Sequence, residues 1–339
     1  VTLRRPALVL AWLTGCGDAG PTYTEIDLDV DVRLNAVEQA DPDFVAVGAE
    51  GTVVHHAERF HPRHEHEVVV WQLGHDELWA VDEFAVFEDA LDVWDLRWFV
   101  AGAAGALWIG VEDDGAPDHP SAAERFTWFA QPRIADADLY GVAAVESEAG
   151  VRAFAVGDEV MLAGTPTSEP GHYEWSALTP PSARGWGTLR DITARWNSGG
   201  EWELWAVGDQ GRVWYSDLGP MGWVEIETGV TDDLVDAEDT TWGGVGGTAL
   251  CGVAGSWLQC DRGACTSSRV GALDFVACGG DWALASNRAL YDPREPWWGI
   301  VRLDWLPRAG DGSREAIVLV GEGGRAGVWQ EAPRWHGAL

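Results

Sequence analysis

Three features of the sequence predict an all-β fold, a seven-bladed β-propeller built of four-stranded antiparallel blades. A strand–turn–strand unit with a glycine in its turn recurs along most of the chain. A third segment, often carrying tryptophan, follows many copies, and an alternating strand near the start offers a partner for the last blade. The chain has 339 residues, 46% of them apolar, which is ample for one large domain.

The first fifteen residues read as an export signal. Arg4 and Arg5 give a positive start, Ala7 to Leu13 give a short apolar stretch, and small residues follow. Leu13-Thr14-Gly15-Cys16 resembles the lipobox of bacterial lipoproteins. The resemblance implies cleavage before Cys16, acylation of its sulfur and membrane attachment through that anchor. Gly17, in place of aspartate, points to the outer membrane, on its periplasmic or its surface face. Residues 1–15 are thus expected as signal peptide, 16–25 as a polar tether and 26–339 as the propeller.

Ile26 to Leu34 alternates strictly, apolar residues on one face and Asp27, Asp29 and Asp31 on the other, so it is expected to be a half-buried strand closing the ring beside Val328-Trp329 and Arg334-Trp335-His336. Asp-x-Asp-x-Asp also begins a calcium loop, but Val32 occupies the position that must be glycine. The repeat unit is clearest in Phe44-Val-Ala-Val-Gly48-Ala-Glu-Gly51 and Leu204-Trp-Ala-Val-Gly208-Asp-Gln-Gly211, with further copies around Gly102, Gly157, Ala254, Ser286 and Gly321. Their spacing, 32 to 55 residues, is that of propeller blades. The hairpin from Leu78 to Phe87 offers an eighth blade, but it lies so close to Gly102 that it is assigned as an elaboration of the first. Phe126-Thr-Trp128, Tyr173-Glu-Trp175 and Gly222-Trp223-Val supply outer strands whose indoles pack between blades. This W-x-A-V-G-x-x-G pattern resembles BNR/Asp-box-like propellers, in particular the photosystem II assembly/stability factor family. Ser216-Asp217-Leu-Gly219-Pro-Met-Gly-Trp223 is the closest remnant of the Asp-box.

Besides Cys16, four cysteines fall within 28 residues: Cys251, Cys260, Cys265 and Cys278. Export favours two disulfides. A two-residue loop at Gly255-Ser256 would place Cys251 opposite Cys260, so the pairs Cys251–Cys260 and Cys265–Cys278 are expected. The spacing lacks the short C-x2-C knuckles of a zinc site.

The net charge is −33 and lysine is absent, which excludes a nucleic-acid partner. Six of nine histidines lie between His55 and His75, where His61, His64 and His66 form a candidate site for a divalent transition metal; otherwise no cofactor is expected. No nucleophile elbow, zincin or phosphate-loop motif occurs. BNR-type propellers include sialidases, but no FRIP-like motif marks a catalytic arginine. Trp186, Trp196, Trp202, Trp297 and Trp298 lie outside the repeat register and are candidate ligand-facing aromatics. The expected function is a monomeric, envelope-anchored binding scaffold without catalysis, its partner an envelope protein or glycan. The alternatives are a carbohydrate-binding or glycoside-hydrolysing propeller, and a metal-binding protein using the histidine segment.

Overall fold

The computed structural model describes residues 22–28, 30–40, 43–58, 66–88, 93–112, 126–147, 150–197, 199–219, 222–239, 247–279, 282–291, 299–302, 307–313 and 316–330. Strand β1 (Thr22–Asp27) comes first and belongs to the last blade. Blade I is β2 (Leu34–Ala40), β3 (Asp43–Gly48), β4 (Thr52–Glu58) and β5 (His66–Gln72), and blade II is β6 (Leu78–Glu88), β7 (Val93–Gly102), β8 (Leu107–Glu112) and β9 (Phe126–Ala130). Blade III is β10 (Leu139–Ser147), β11 (Gly150–Gly157), β12 (Val160–Pro166) and β13 (Tyr173–Ala177). Blade IV is β14 (Leu189–Trp196), β15 (Trp202–Gly208), β16 (Val213–Ser216) and β17 (Val224–Glu225). Blade V is β18 (Leu234–Asp239), β19 (Thr248–Gly252), β20 (Ser256–Asp261) and β21 (Ala264–Arg269). Blade VI is β22 (Phe275–Cys278), β23 (Ala283–Ala285), β24 (Ala289–Tyr291) and β25 (Gly299–Arg302). Blade VII takes β26 (Pro307–Ser313), β27 (Ala316–Gly321) and β28 (Arg325–Gln330), and β1 pairs antiparallel with β28 to close the ring.

The apolar runs of the second strands follow from this ring. Successive side chains of a strand point to opposite sheet faces, and here both faces meet another blade. In β3, Phe44 and Ala46 join the cluster shared with Val318 and Val320 of blade VII. Val45 and Val47 turn the other way, towards Leu78 and Trp98 of blade II. Each of the remaining junctions carries an apolar cluster of its own.

The repeated glycine has a steric cause. At Gly157 a Cβ would lie 1.8 Å from the carbonyl oxygen of Asp138, and at Gly208 2.1 Å from that of Thr188. A bulge at the start of each first strand, as between Leu189 and Asp191, pushes that carbonyl against the second strand. The tight turn that follows holds two consecutive left-handed residues, Gln210 (φ 61°) and Gly211 (φ 69°) in blade IV. The second must be glycine, since a Cβ on Gly211 would meet the Val230 oxygen at 2.1 Å.

Several expectations are corrected. The ring-closing strand is Thr22–Asp27, not Ile26 to Leu34, so Thr22 to Glu25 lie in the sheet and not in a tether, and Leu34 opens the first strand of blade I. Residues 334–336 lie outside the described residues. Leu78–Glu88 is no elaboration of blade I but the innermost strand of blade II, so the count is seven. In blades V and VI the repeat register is set at Gly252 and Ala285, not at Ala254 and Ser286, because Gly252 faces Leu234 and Ala285 faces Phe275.

The cysteine pairing differs as well. The turn after β19 is Val253–Gly255, and Cys251 faces Trp257, three residues away from the expected register. The disulfides are therefore Cys251–Cys278, linking β19 to the first strand of blade VI, and Cys260–Cys265, across the β20–β21 hairpin.

Candidate functional site

Seven first strands, β2, β6, β10, β14, β18, β22 and β26, surround a central cavity of about 420 Å³. Each is the inner edge of its sheet, so its outward N–H groups have no ladder partner. Carboxylates of neighbouring blades supply one. Ala144 N–H donates to Asp82 Oδ2 at 2.8 Å and Ala237 N–H to Asp191 Oδ2 at 2.9 Å. Cys278 N–H donates to Asp236 Oδ2 and Gln39 N–H to Asp311 Oδ2, both at 2.5 Å. Counting from the leading residue of the strand (Leu189, Leu234, Leu78, Pro307), the acceptor stands two positions on at Asp191 and Asp236, and four on at Asp82 and Asp311. Each binds the residue one position further along the next blade. The ties thus join successive blades about the cavity at two levels.

This wall is electrostatically tense. Burial, then the charges of Asp311, Asp82, Glu238 and Glu83, push the Glu38 carboxyl well above the usual range. Glu238 is raised by burial and then by Asp311 and Asp236. Burial also raises Asp82, although the Ala144 N–H works against it. Glu83 rises to about 7, from burial first and then from Asp311, Asp43 and Glu112. Asp191 and Asp236 form a hydrogen-bonded pair, and burial raises both. Burial thus holds the carboxyl groups of the cavity wall above their usual range, Glu83 at about 7.

The two ends differ. At the end where the first strands begin, arginines are tied down: Arg190 Nε to Asp209 at 2.8 Å, Arg308 Nε to Glu322 at 2.9 Å, and Arg33 to Glu77. Arg190 also lies over Tyr140 and Arg33 over Trp79. Towards the other end stand Glu83, Phe84 and Trp202, with Phe84 and Trp202 ring centroids 5.7 Å apart. Trp196, directly across from Trp202 at the β14–β15 hairpin, is 51% exposed and packs edge-on against it.

Of the candidate aromatics, Trp202 lines the cavity and Trp196 faces solvent beside it. Trp186 is corrected to a packing role. It is buried between blades III and IV against Trp214 and Trp223, because the turn before β14 folds it inward. Trp297, Trp298, His61 and His64 lie outside the described residues, and His66 is described only as the first residue of β5, opposite Glu58. Their neighbours His55 and His56 are buried core residues: His56 stacks on Phe44, and His55 sits among Trp71, Trp98 and Phe126. The carboxylates of the wall were not singled out from the sequence, although a Leu-x-Asp start (Leu189-Arg-Asp191, Leu234-Val-Asp236) marks two of them.

Blade IV also holds a buried ion pair. Arg195 donates to Glu203 Oε2 at 2.7 Å and reaches Asp261 of blade V at 2.5 Å, while Asn197 and Tyr215 donate to Glu203 Oε1. Its partners are all satisfied, which makes it a clamp between blades.

The fold and cavity define a seven-bladed β-propeller with an acidic, partly aromatic central channel. Among solved structures it is similar to selenomethionine-substituted virginiamycin B lyase from Staphylococcus aureus, with a TM-score of 0.61 and 11% identity over 91% of this chain and 99% of that one. No protein-family model and no curated protein matches the chain. The likeness establishes the shared architecture.

Proposed function

We propose that the protein is a binding scaffold of the bacterial envelope, held to the membrane through an acylated Cys16, and that its channel takes a small organic cation of the alkylammonium class. The observation that carries the channel reading is a cavity of about 420 Å³ whose wall combines carboxyl groups with the rings of Phe84 and Trp202. An ammonium group about 4 Å from a carboxylate gains about 4 kcal/mol at an effective dielectric near 20, before desolvation. A neighbouring indole adds roughly 0.5–2 kcal/mol. No motif for catalysis supports an enzymatic role, and the rigid ring with variable loops suits partner binding. Kinship with BNR/Asp-box-like propellers is part of this reading. It is supported by the turn at Ser216 and Asp217, where Ser216 Oγ accepts Leu218 N–H, Asp217 Oδ1 accepts Gly219 N–H, and Trp223 packs on Trp186.

Calorimetric titration with 1,4-diaminobutane and with neutral 1,4-butanediol tests the channel. Saturable binding of the diamine alone, weakened at least tenfold by Asp82→Asn with Glu38→Gln, is the expected result. Equal or absent heats for both would overturn it. The anchor is tested by incorporation of an alkyne-tagged fatty acid in a bacterial host, expected for the wild type and lost in Cys16→Ser. Partner capture from envelope membranes should recover a reproducible protein.

A second reading is carbohydrate binding, favoured by the exposed face of Trp196 beside Trp202. A glycan array with the wild type and Trp196→Ala separates it from the first, since a neutral sugar bound through Trp196 would not respond to loss of the channel carboxylates.

A further inference from the structure

The disulfide between blades V and VI stands against the channel wall. Cys251 on β19 and Cys278 on β22 are both buried, and Asp236, which lines the channel, accepts the Cys278 N–H at 2.5 Å. One carboxylate oxygen of Asp236 and the two sulfurs lie within 4.8 Å of one another, and among the described residues no other trio of ligating side chains converges in this way. The second disulfide, Cys260–Cys265, joins neighbouring strands of one hairpin and, among the described residues, has no such third group.

Two thiolates and a carboxylate are a donor set for a borderline-soft dication, with M–S near 2.3 Å and M–O near 2.1 Å for zinc. Thiolates sharing a tetrahedral zinc sit roughly 3.8 Å apart by that geometry. The Cα separation of 6.2 Å accommodates the two side chains at this distance. Asp236 lines the channel, and Asp191, its hydrogen-bonded neighbour there, is a further carboxylate beside the site.

We propose that Cys251, Cys278 and Asp236 form a thiol-gated metal site, which takes a thiophilic divalent cation of the zinc or cadmium type when the disulfide is reduced. A dithiol reductant supplies two electrons and two protons to the S–S bond, giving two thiols and its own cyclic disulfide. Metal binding then releases the two thiol protons and forms two M–S bonds and one M–O bond. A covalent link between blades V and VI is replaced by a coordinate one, open to the channel. The site is independent of the alkylammonium reading, which uses the other carboxylates and the rings.

The test is native mass spectrometry with ultraviolet absorbance during Cd2+ titration of the full chain, in a Cys260→Ala/Cys265→Ala background that leaves one pair of these cysteines. The chain is reduced with a dithiol and exchanged anaerobically into buffer, and its oxidised form serves as the control for metal held elsewhere. The expected result is one additional Cd2+ per reduced chain with a thiolate-to-metal charge-transfer band, absent from the oxidised chain and from Cys278→Ser, and at least tenfold weaker in Asp236→Asn. Equal binding by oxidised and reduced chains, or by Cys278→Ser, overturns the proposal. So does a reduced chain that loses its far-ultraviolet dichroism and does not regain it with Cd2+.

Discussion

Replacing Glu83 by glutamine should abolish a specific part of the pH dependence of stability. Glu83 sits half-buried on β6 and faces the channel, with a carboxyl raised from 4.5 to about 7 by burial and by Asp311, Asp43 and Glu112. A group whose folded pKa exceeds its unfolded value stabilises the fold fully below the unfolded pKa and loses that contribution as pH rises through the folded one. A shift of this size corresponds to about 3 kcal/mol, lost between roughly pH 4.5 and pH 8. The glutamine keeps shape and hydrogen-bonding capacity but cannot ionise. Urea unfolding of both proteins from pH 5 to pH 8.5 should show a stability difference that moves by about 2.5 kcal/mol in favour of Glu83→Gln as pH rises. A difference independent of pH, or one moving towards the wild type at alkaline pH, would refute the reasoning.

Other consequences are equally direct. Gly157→Ala should cost about 3 kcal/mol or more in denaturant unfolding, since its Cβ would meet the Asp138 oxygen at 1.8 Å; Gly222→Ala, with nothing within 4 Å and only its positive φ to strain, should cost about 1–2 kcal/mol. Non-reducing peptide mapping should recover Cys251 linked to Cys278 and Cys260 linked to Cys265. Removing the first pair should cost about 3.5 kcal/mol and the second about 2, given loops of 27 and 5 residues. Arg195→Met should destabilise by about 3–5 kcal/mol by stranding the buried Glu203, and adding Glu203→Leu should restore most of it.

The ring was legible in the sequence because its geometry leaves a chemical mark at fixed places. Gly48, Gly102, Gly157 and Gly208 are required by a backbone oxygen pressed against them, and the runs before them are apolar on both faces because both face blades. Blade VI, where Ala285 replaces the glycine, carried the weakest mark and was misaligned by one residue. The disulfide pairing was not legible, since a three-residue turn and a two-residue loop both fit Val253-Ala254-Gly255-Ser256, and the choice moves Cys251 three residues along β20. Its true partner lies in another blade, a tertiary fact with no local signal. The channel was missed for a related reason. Its carboxylates come from first strands that have no shared glycine, and Asp191 and Asp236, 45 residues apart in sequence, meet only after the first strands converge on one axis.

The measurement that bears most directly on an acidic channel that receives an organic cation is calorimetric titration of 1,4-diaminobutane near pH 7 in two buffers of different ionisation enthalpy. Burial raises the channel carboxyls above their usual range, Glu83 to about 7, so an entering ammonium group should displace protons from the wall. The account predicts saturable binding with net proton release, tighter at pH 8 than at pH 6, and loss of the proton release in Glu83→Gln with Asp82→Asn. No saturable heat at any pH, or binding without proton exchange that is unchanged in that variant, would contradict it.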